Sequence, residues 1–475
     1  MTSPQSKSVL FALDGCTFET AIVDGALDAS TLIKSLRDTA SQDPNLDVVF
    51  YDPGFTNTAS ARSRVTFIDG DAGVLEYRGY AVEELAEHSS FLEVAYLLIH
   101  GELPTKEEFG IWSQQVMSHT FVHEDLIQYL HAFRYDAHPM AMFVAALSAM
   151  STHHPEANPI LTRRDVYDDL TIRNKQIYRV LGKFPTVAAC SYRHRIGRRY
   201  NYPDTSRGLS YTENFLYMMD AMGEPDYRPH PELVKALDVL FIIHADHELN
   251  CSTSAVRHLA STRLDLYTAM AGGASALFGG LHGGASEAVV RQLEYIEHVD
   301  RIDQFLDDVK AKKRLLMGFG HRIYRNYDPR AKILKKYADR IMQVVGHDPL
   351  LEVAKELEQR ALSDDYFTAR KLYPNVDFYS GLIYRCMGFP LEMYSVLFAL
   401  PRAAGWLAHY FEAMDDEDRS ELDSGATHLI RPRQLYIGAE PGKPYVTAAD
   451  RNLGHNATEG NLSFPSSILS RRRQL

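Results

Sequence analysis

Residues Leu266–Ser286 form a run without a single Asp, Glu, Lys or Arg. An uncharged stretch of this length either crosses a bilayer or lies in the core of a sizeable protein. Six glycines fall within its last fifteen residues, and His282 stands among them. Glycine at that density makes a poor helix, so the membrane reading fails. What remains is a buried helix that opens into a loop. Burying it demands a large surrounding core. The chain can supply one, with 475 residues of which 45% are hydrophobic, enough for one to three domains.

From Gly79 onward the pattern around this run is helical. Leu92, Ala95, Tyr96 and Ile99 fall at i, i+3, i+4 and i+7. Leu233, Leu237, Leu240, Phe241 and His244 repeat that spacing, which would put His244 and His247 one turn apart. Before Gly79, residues 8–80 carry short β-branched and aromatic runs at Thr20–Val23, Val48–Tyr51 and Arg64–Ile68. These are expected to be strands. Asp415–Asp423 is an acidic run expected in an exposed loop, and the final thirty residues read as loosely structured. No internal repeat is apparent.

Three segments carry chemistry. In Gly279-Gly280-Leu281-His282-Gly283-Gly284-Ala285, four glycines leave an imidazole unshielded and the main chain open to a bulky ligand. A flexible loop with an incidental histidine would read the same way. In Gly318-Phe319-Gly320-His321, two glycines bracket an aromatic just before a second histidine. Arg325 and Arg330 follow four and nine residues beyond that histidine. This joins a titratable donor to guanidiniums suited to anionic oxygens. In Pro374-Asn375-Val376-Asp377-Phe378-Tyr379-Ser380-Gly381, an acid stands among apolar neighbours. It is either a helix cap or a base in a dry pocket. Two histidines and an aspartate suit proton removal next to one carbonyl, followed by carbon addition to another.

Seven stretches together resemble the citrate synthase family, in its order: YDPGFTNTAS (51–60), FIDGDAGVLEYRGY (67–80), HADHELNCSTS, LHGGASEA, GFGHRIYRNYDPRA, PNVDFYSG and RPRQLYIG. The resemblance runs from Val48 to Gly438 and is to the bacterial-type branch. It implies a mainly α fold. Residues 81–294 and 396–440 would form a large helical domain, with 1–80 as its strand-rich N-terminal region. Residues 295–395 would form a smaller helical domain, and 441–475 a C-terminal extension. The implied reaction joins acetyl-CoA to oxaloacetate and water, giving citrate and CoA, as in the tricarboxylic acid and glyoxylate cycles. Asp377 would be the base, His282 the enolate stabiliser and His321 the carbonyl polariser. His247, Arg330, Arg402 and Arg431 would bind oxaloacetate, Arg431 from a neighbouring subunit of a homodimer or higher oligomer. Gly318, Phe319, Gly320 and Arg325 would meet CoA, and Ser252 would orient His282. No permanently bound cofactor is implied. The alternative is 2-methylcitrate synthase using propionyl-CoA, because one methylene in an apolar pocket is worth only ~1–3 kcal/mol.

Composition narrows the remaining choices. A formal charge of −12 argues against a general nucleic-acid binder. Cys16, Cys190, Cys251 and Cys386 have neither CxxC nor zinc spacing and read as free thiols in a reducing compartment. His244-Ala245-Asp246-His247-Glu248 lacks a metalloprotease order and a third ligand, so no metal is expected. No G-x-S-x-G elbow supports a hydrolase. The first 30 residues hold Lys7 against Asp14, Glu19, Asp24 and Asp28, unlike a mitochondrial presequence. The expected location is cytoplasmic, with peroxisomal as the alternative because the chain finishes Arg471-Arg472-Arg473-Gln474-Leu475. Some hexameric relatives bind NADH through an Arg-His-Thr-Met run. The matching Ser118-His119-Thr120-Phe121 lacks the arginine, so NADH inhibition is expected to be weak or absent.

Overall fold

The computed structural model describes residues 7–13, 16–23, 25–29, 31–33, 49–224, 226–346, 348–415, 429–438, 442–447 and 449–450. The chain divides into two compact units, one of Met1–Tyr51 with Arg431–Leu475 and one of Asp52–Ile430. In the first, strands β1 (Lys7–Leu13), β2 (Cys16–Val23) and β3 (Ala26–Leu27) make an antiparallel sheet. Leu13 pairs with Cys16 at the end of the β1–β2 ladder. The run Thr20–Val23 lies in β2 as expected. Val48–Tyr51 is corrected: Phe50 and Tyr51 belong to no strand, and Val48 lies outside the described residues. Most of the acidic run and most of the last thirty residues also lie outside them.

The second unit opens with a small antiparallel sheet of β4 (Thr66–Asp69), β5 (Val74–Tyr77) and β6 (Tyr80–Ala81). Helices follow: α1 (Val82–His88), α2 (Phe91–His100), α3 (Lys106–Ser118), α4 (Glu124–His131), α5 (Pro139–Met150) and α6 (Leu170–Arg195). Then come α7 (Tyr211–Asp220), α8 (Pro231–His244), α9 (Cys251–Ala260), α10 (Leu266–Leu277) and α11 (Ala285–Ile296). The last are α12 (Ile302–Lys310), α13 (Pro329–Val345), α14 (Pro349–Leu362), α15 (Asp365–Thr368), α16 (Val376–Cys386) and α17 (Tyr394–Met414). The chain is thus mainly α, with a small strand-rich start.

Local chemistry sets the helix starts. Thr105 with Glu108 and Ser210 with Glu213 form reciprocal capping boxes at α3 and α7. Asp328 caps α13, with Pro329 at the first helical position where its missing N–H does no harm. The charge-free run becomes the buried helix α10 followed by a turn-rich loop at 278–284. Among the described residues, no helix is long and apolar enough to cross a membrane. Helix α17 is the spine of the core: it packs against α2, α6, α8, α9 and α10, and nearly all its residues are buried, Arg402 and His409 included. One periodicity reading is corrected. Helix α8 stops at His244, and Glu248 is left-handed, so His247 lies beyond the helix and not one turn along it.

Candidate active site

The segment bearing His321 is fastened to the one bearing Asp377. Gly320 N–H donates to the Tyr373 carbonyl at 2.8 Å, Asn375 N–H to the Gly318 carbonyl at 2.9 Å, and Asn375 Nδ2 to the Gly320 carbonyl at 2.9 Å. Gly318 and Gly320 both have φ of +80°. At Gly318 a Cβ would also stand 2.7 Å from Val289 and 2.9 Å from Phe378. Only glycine lets the chain turn there and still approach α16. Beyond the turn, His321 Nδ1 accepts from Ile323 N–H at 3.0 Å and Tyr324 N–H at 3.2 Å. Both are fixed donors, so the ring proton sits on Nε2 and points that nitrogen outward as a donor. Burial, reinforced by the Arg330 charge, pulls the imidazole pKa down to about 4. It is neutral at pH 7.

Asp377 lies in the first turn of α16, where Asn375 takes the cap by accepting Asp377 N–H at 3.0 Å. The cap is therefore Asn375, which leaves the aspartate side chain without a hydrogen bond among the described residues. Burial raises its pKa to about 6, against the opposing pull of Arg330. His282 stands in the loop after α10. Its Nε2 lies 3.0 Å from Ser252 Oγ and 3.2 Å from Asn250 Oδ1, at the start of α9. Burial and then the Arg402 charge lower its pKa to about 4. The Phe398 ring lies beside it, 5.8 Å between centroids, and 4.7 Å from the Arg402 guanidinium.

Three further expected residues are buried around these groups. His247 stacks edge-on to His321 at 5.3 Å, and its buried Nε2 has no hydrogen-bond partner. Arg402 spends Nε on the His244 carbonyl at 2.7 Å and leaves one terminal nitrogen buried and unpaired. Burial draws that guanidinium down to about 10, still charged at pH 7. Arg330 is forked onto Asp328, at 3.0 Å from Nε and 2.9 Å from the terminal nitrogen. Burial opposes its charge, yet the Asp328 carboxylate raises its pKa. Buried donors without partners are costly unless a ligand takes them up. Arg431 belongs to the other compact unit and is exposed.

A cavity of about 680 Å³ adjoins the glycine turn, lined by Gly318 and Phe319, the apolar Leu315, Leu316 and Met317, and the basic run Lys312–Arg314. Arg325 does not line this cavity; its N–H donates to the Gly70 carbonyl at 2.8 Å and its side chain is exposed, 3.7 Å from Asp71. Sequence reading missed Asp328 and Asn250. The first was legible as an Asp-Pro helix start, the second as an Asn followed by Ser and Thr. Among the described residues, no group of three metal-ligating side chains is placed to hold an ion.

An unbonded carboxylate of raised pKa, two neutral imidazoles and spare guanidinium donors define a class: helical enzymes that move protons at carbon while holding an anionic partner. The family model for the citrate synthase C-terminal domain matches residues 54–433. A citrate synthase of Dictyostelium discoideum is 55% identical over 93% of this chain and 85% of its own length. A citrate synthase of the same organism named as peroxisomal is 57% identical over 82% and 77%. The fold matches citrate synthase from Thermoplasma acidophilum in ternary complex with carboxymethyl coenzyme A and oxaloacetate, with TM-score 0.74 and 31% identity over 84% of this chain and 98% of that one. The chain belongs to the citrate synthase family, whose members transfer acyl groups.

Proposed function

We propose that this chain condenses acetyl-CoA with oxaloacetate and water to give citrate and CoA, with the following division of labour. Asp377 takes a proton from the acetyl methyl. The electron pair moves toward the thioester oxygen, which His282 meets with a hydrogen bond. The enolised carbon attacks the oxaloacetate carbonyl, whose oxygen His321 meets through Nε2–H. Hydrolysis of the resulting thioester releases CoA. His247, Arg330 and Arg402 hold the carboxylates, with Arg431 reaching in from a neighbouring subunit of a homodimer or larger assembly. Planar guanidiniums suit that recognition better than lysine. The observation that carries this reading is the inverted pair of environments: a carboxylate pushed up to about 6 beside imidazoles pulled down to about 4. Base and donors are both in their working forms at pH 7.

CoA fits the cavity at the glycine turn, where Gly318 and Phe319 supply backbone and apolar surface and Lys312, Lys313 and Arg314 face its phosphates. Residues 295–395 are proposed to move as a small domain that closes over the substrates and excludes water. The relative named as peroxisomal favours that compartment for this chain over the cytoplasm.

Thiol release followed with acetyl-CoA, with and without oxaloacetate, tests the activity. Release that requires oxaloacetate and falls sharply with propionyl-CoA is expected. Release independent of oxaloacetate would exclude condensation. For Arg431→Ala, a tenfold or larger rise in the oxaloacetate KM is expected with an unchanged melting temperature. Mixing it with an inactive His321→Ala variant should recover part of the activity if the arginine acts across subunits. Unchanged oxaloacetate saturation would remove Arg431 from the site.

A further inference from the structure

We infer that Glu358 is a positioning residue that holds Asp377 and the segment around Arg330 in one fixed relation, from the face of α16 opposite the base. This deepens the reading of Asp377 as the base and rests on it. Glu358 lies on α14 and is buried. Its Oε1 accepts the Tyr327 hydroxyl at 2.5 Å. Its Oε2 accepts the Tyr379 hydroxyl at 2.6 Å and Lys335 Nζ at 2.5 Å. The donors come from three places. Tyr327 stands next to Asp328, which forks onto Arg330. Tyr379 is on α16, two residues after Asp377, and Lys335 is on α13.

An ionised carboxylate only accepts, so both hydroxyl protons point at Glu358 while Lys335 supplies the countercharge that a buried carboxylate needs. Residues two apart on a helix lie about 200° apart around its axis. Tyr379 therefore leaves α16 on the face opposite Asp377. The other ties at this end of α16 all precede the base. They are Asn375 to the glycine turn and Val376 N–H to Asp328 at 3.1 Å. Tyr379 adds the tie that follows it. The contacts then close into a ring. It runs from Tyr327 to Glu358, on to Tyr379, back along the helix turn to Val376, and so to Asp328, the residue after Tyr327. A buried polar network with all its members paired selects one arrangement where apolar contact alone specifies less. Proton removal needs that selection, because displacing a reacting group by about 1 Å can cost about 10²-fold in rate.

Three variants separate the ties. Tyr379→Phe removes only the hydroxyl that holds the helix of the base. Its kcat for thiol release should fall about tenfold or more, with the oxaloacetate KM unchanged. Deuterium in the acetyl methyl should slow that variant more than it slows wild type, because proton removal becomes the slower step. Tyr327→Phe removes the hydroxyl beside Asp328 and should instead raise the oxaloacetate KM about tenfold, as the loss of one hydrogen bond to a charged group would. Glu358→Gln keeps the shape but accepts at one position of two, so it should show both defects. Where it does not fold, the two phenylalanine variants carry the test. Tyr379→Phe with wild-type kcat and a wild-type deuterium effect would overturn the inference. So would phenylalanine variants that melt lower without dividing kcat from KM, since the network would then serve the fold alone. If Asp377→Asn retains full thiol release, the reading of the base itself fails, and the tyrosine variants cannot rescue it.

Discussion

Asp377→Asn is expected to lower kcat by about 10²–10⁴-fold, the usual contribution of a positioned general base, and at the same time to stabilise the fold. Both effects have one origin. Burial lifts the carboxyl pKa from its ordinary 3.8 to about 6, so ionisation is harder in the folded chain than in the unfolded one. Between about pH 4 and 6 the folded state keeps a proton that the unfolded state has lost. Stability therefore falls as pH rises through that window. Above it, the ionised carboxylate costs the fold about 1–3 kcal/mol. Asparagine carries no charge and escapes that cost. Thermal unfolding should show the variant melting higher than wild type at pH 7.5, with the gap closing near pH 4. In the wild type, kcat/KM should drop tenfold per pH unit below about 6. The imidazoles, already neutral above about pH 4, add nothing to that limb. A variant no more stable than wild type at pH 7.5, with a pH profile flat down to 5, would show that the base is not a buried, raised carboxylate.

The segments that hold this chemistry were legible because each announces itself locally. A glycine pair before His321, glycines around His282 and an apolar frame around Asp377 are all readable within a dozen residues. The uncharged run was legible for the same reason, since a missing charge is a statement about burial. Asp377 as cap or base stayed open in the sequence. What decided it was Asn375, which takes the cap and leaves the aspartate unbonded. The helical periodicity before His247 misled for a related reason. Hydrophobic spacing records which side of a helix is buried, and it continues to fit by chance after the helix has ended at His244.

Other features depend on chain segments far apart in sequence. Ser252 and Trp406 meet across 154 residues, and no local pattern marks the contact. The same holds for the cavity at the glycine turn, whose basic rim at Lys312–Arg314 reads in sequence as an ordinary charged helix end.

Asp328→Ala should be the most destabilising single change around the site, by about 3–5 kcal/mol, because it strands a buried guanidinium. The carboxylate is buried and accepts four hydrogen bonds. It caps α13 through Arg330 N–H at 3.0 Å, forks onto the Arg330 guanidinium at 3.0 and 2.9 Å, and accepts Val376 N–H at 3.1 Å. That last bond anchors the first turn of α16, one residue before Asp377. Arg330 held this way keeps the rest of its fork for an anionic substrate, so Asp328 ties substrate binding to placement of the base. Loss of the aspartate should therefore raise the oxaloacetate KM and lower kcat together. Replacing both partners with apolar residues, Asp328→Leu with Arg330→Met, removes the unpaired charge. Denaturant unfolding should then show the double variant more stable than Asp328→Ala, with a coupling of about 1–3 kcal/mol between the sites. Its activity should stay low, because no guanidinium remains to hold the carboxylate. A double variant no more stable than the single would mean that the loss came from the helix caps. A single variant within about 1 kcal/mol of wild type would mean that water reaches Arg330 and that the pair is not the link between the two halves of the site.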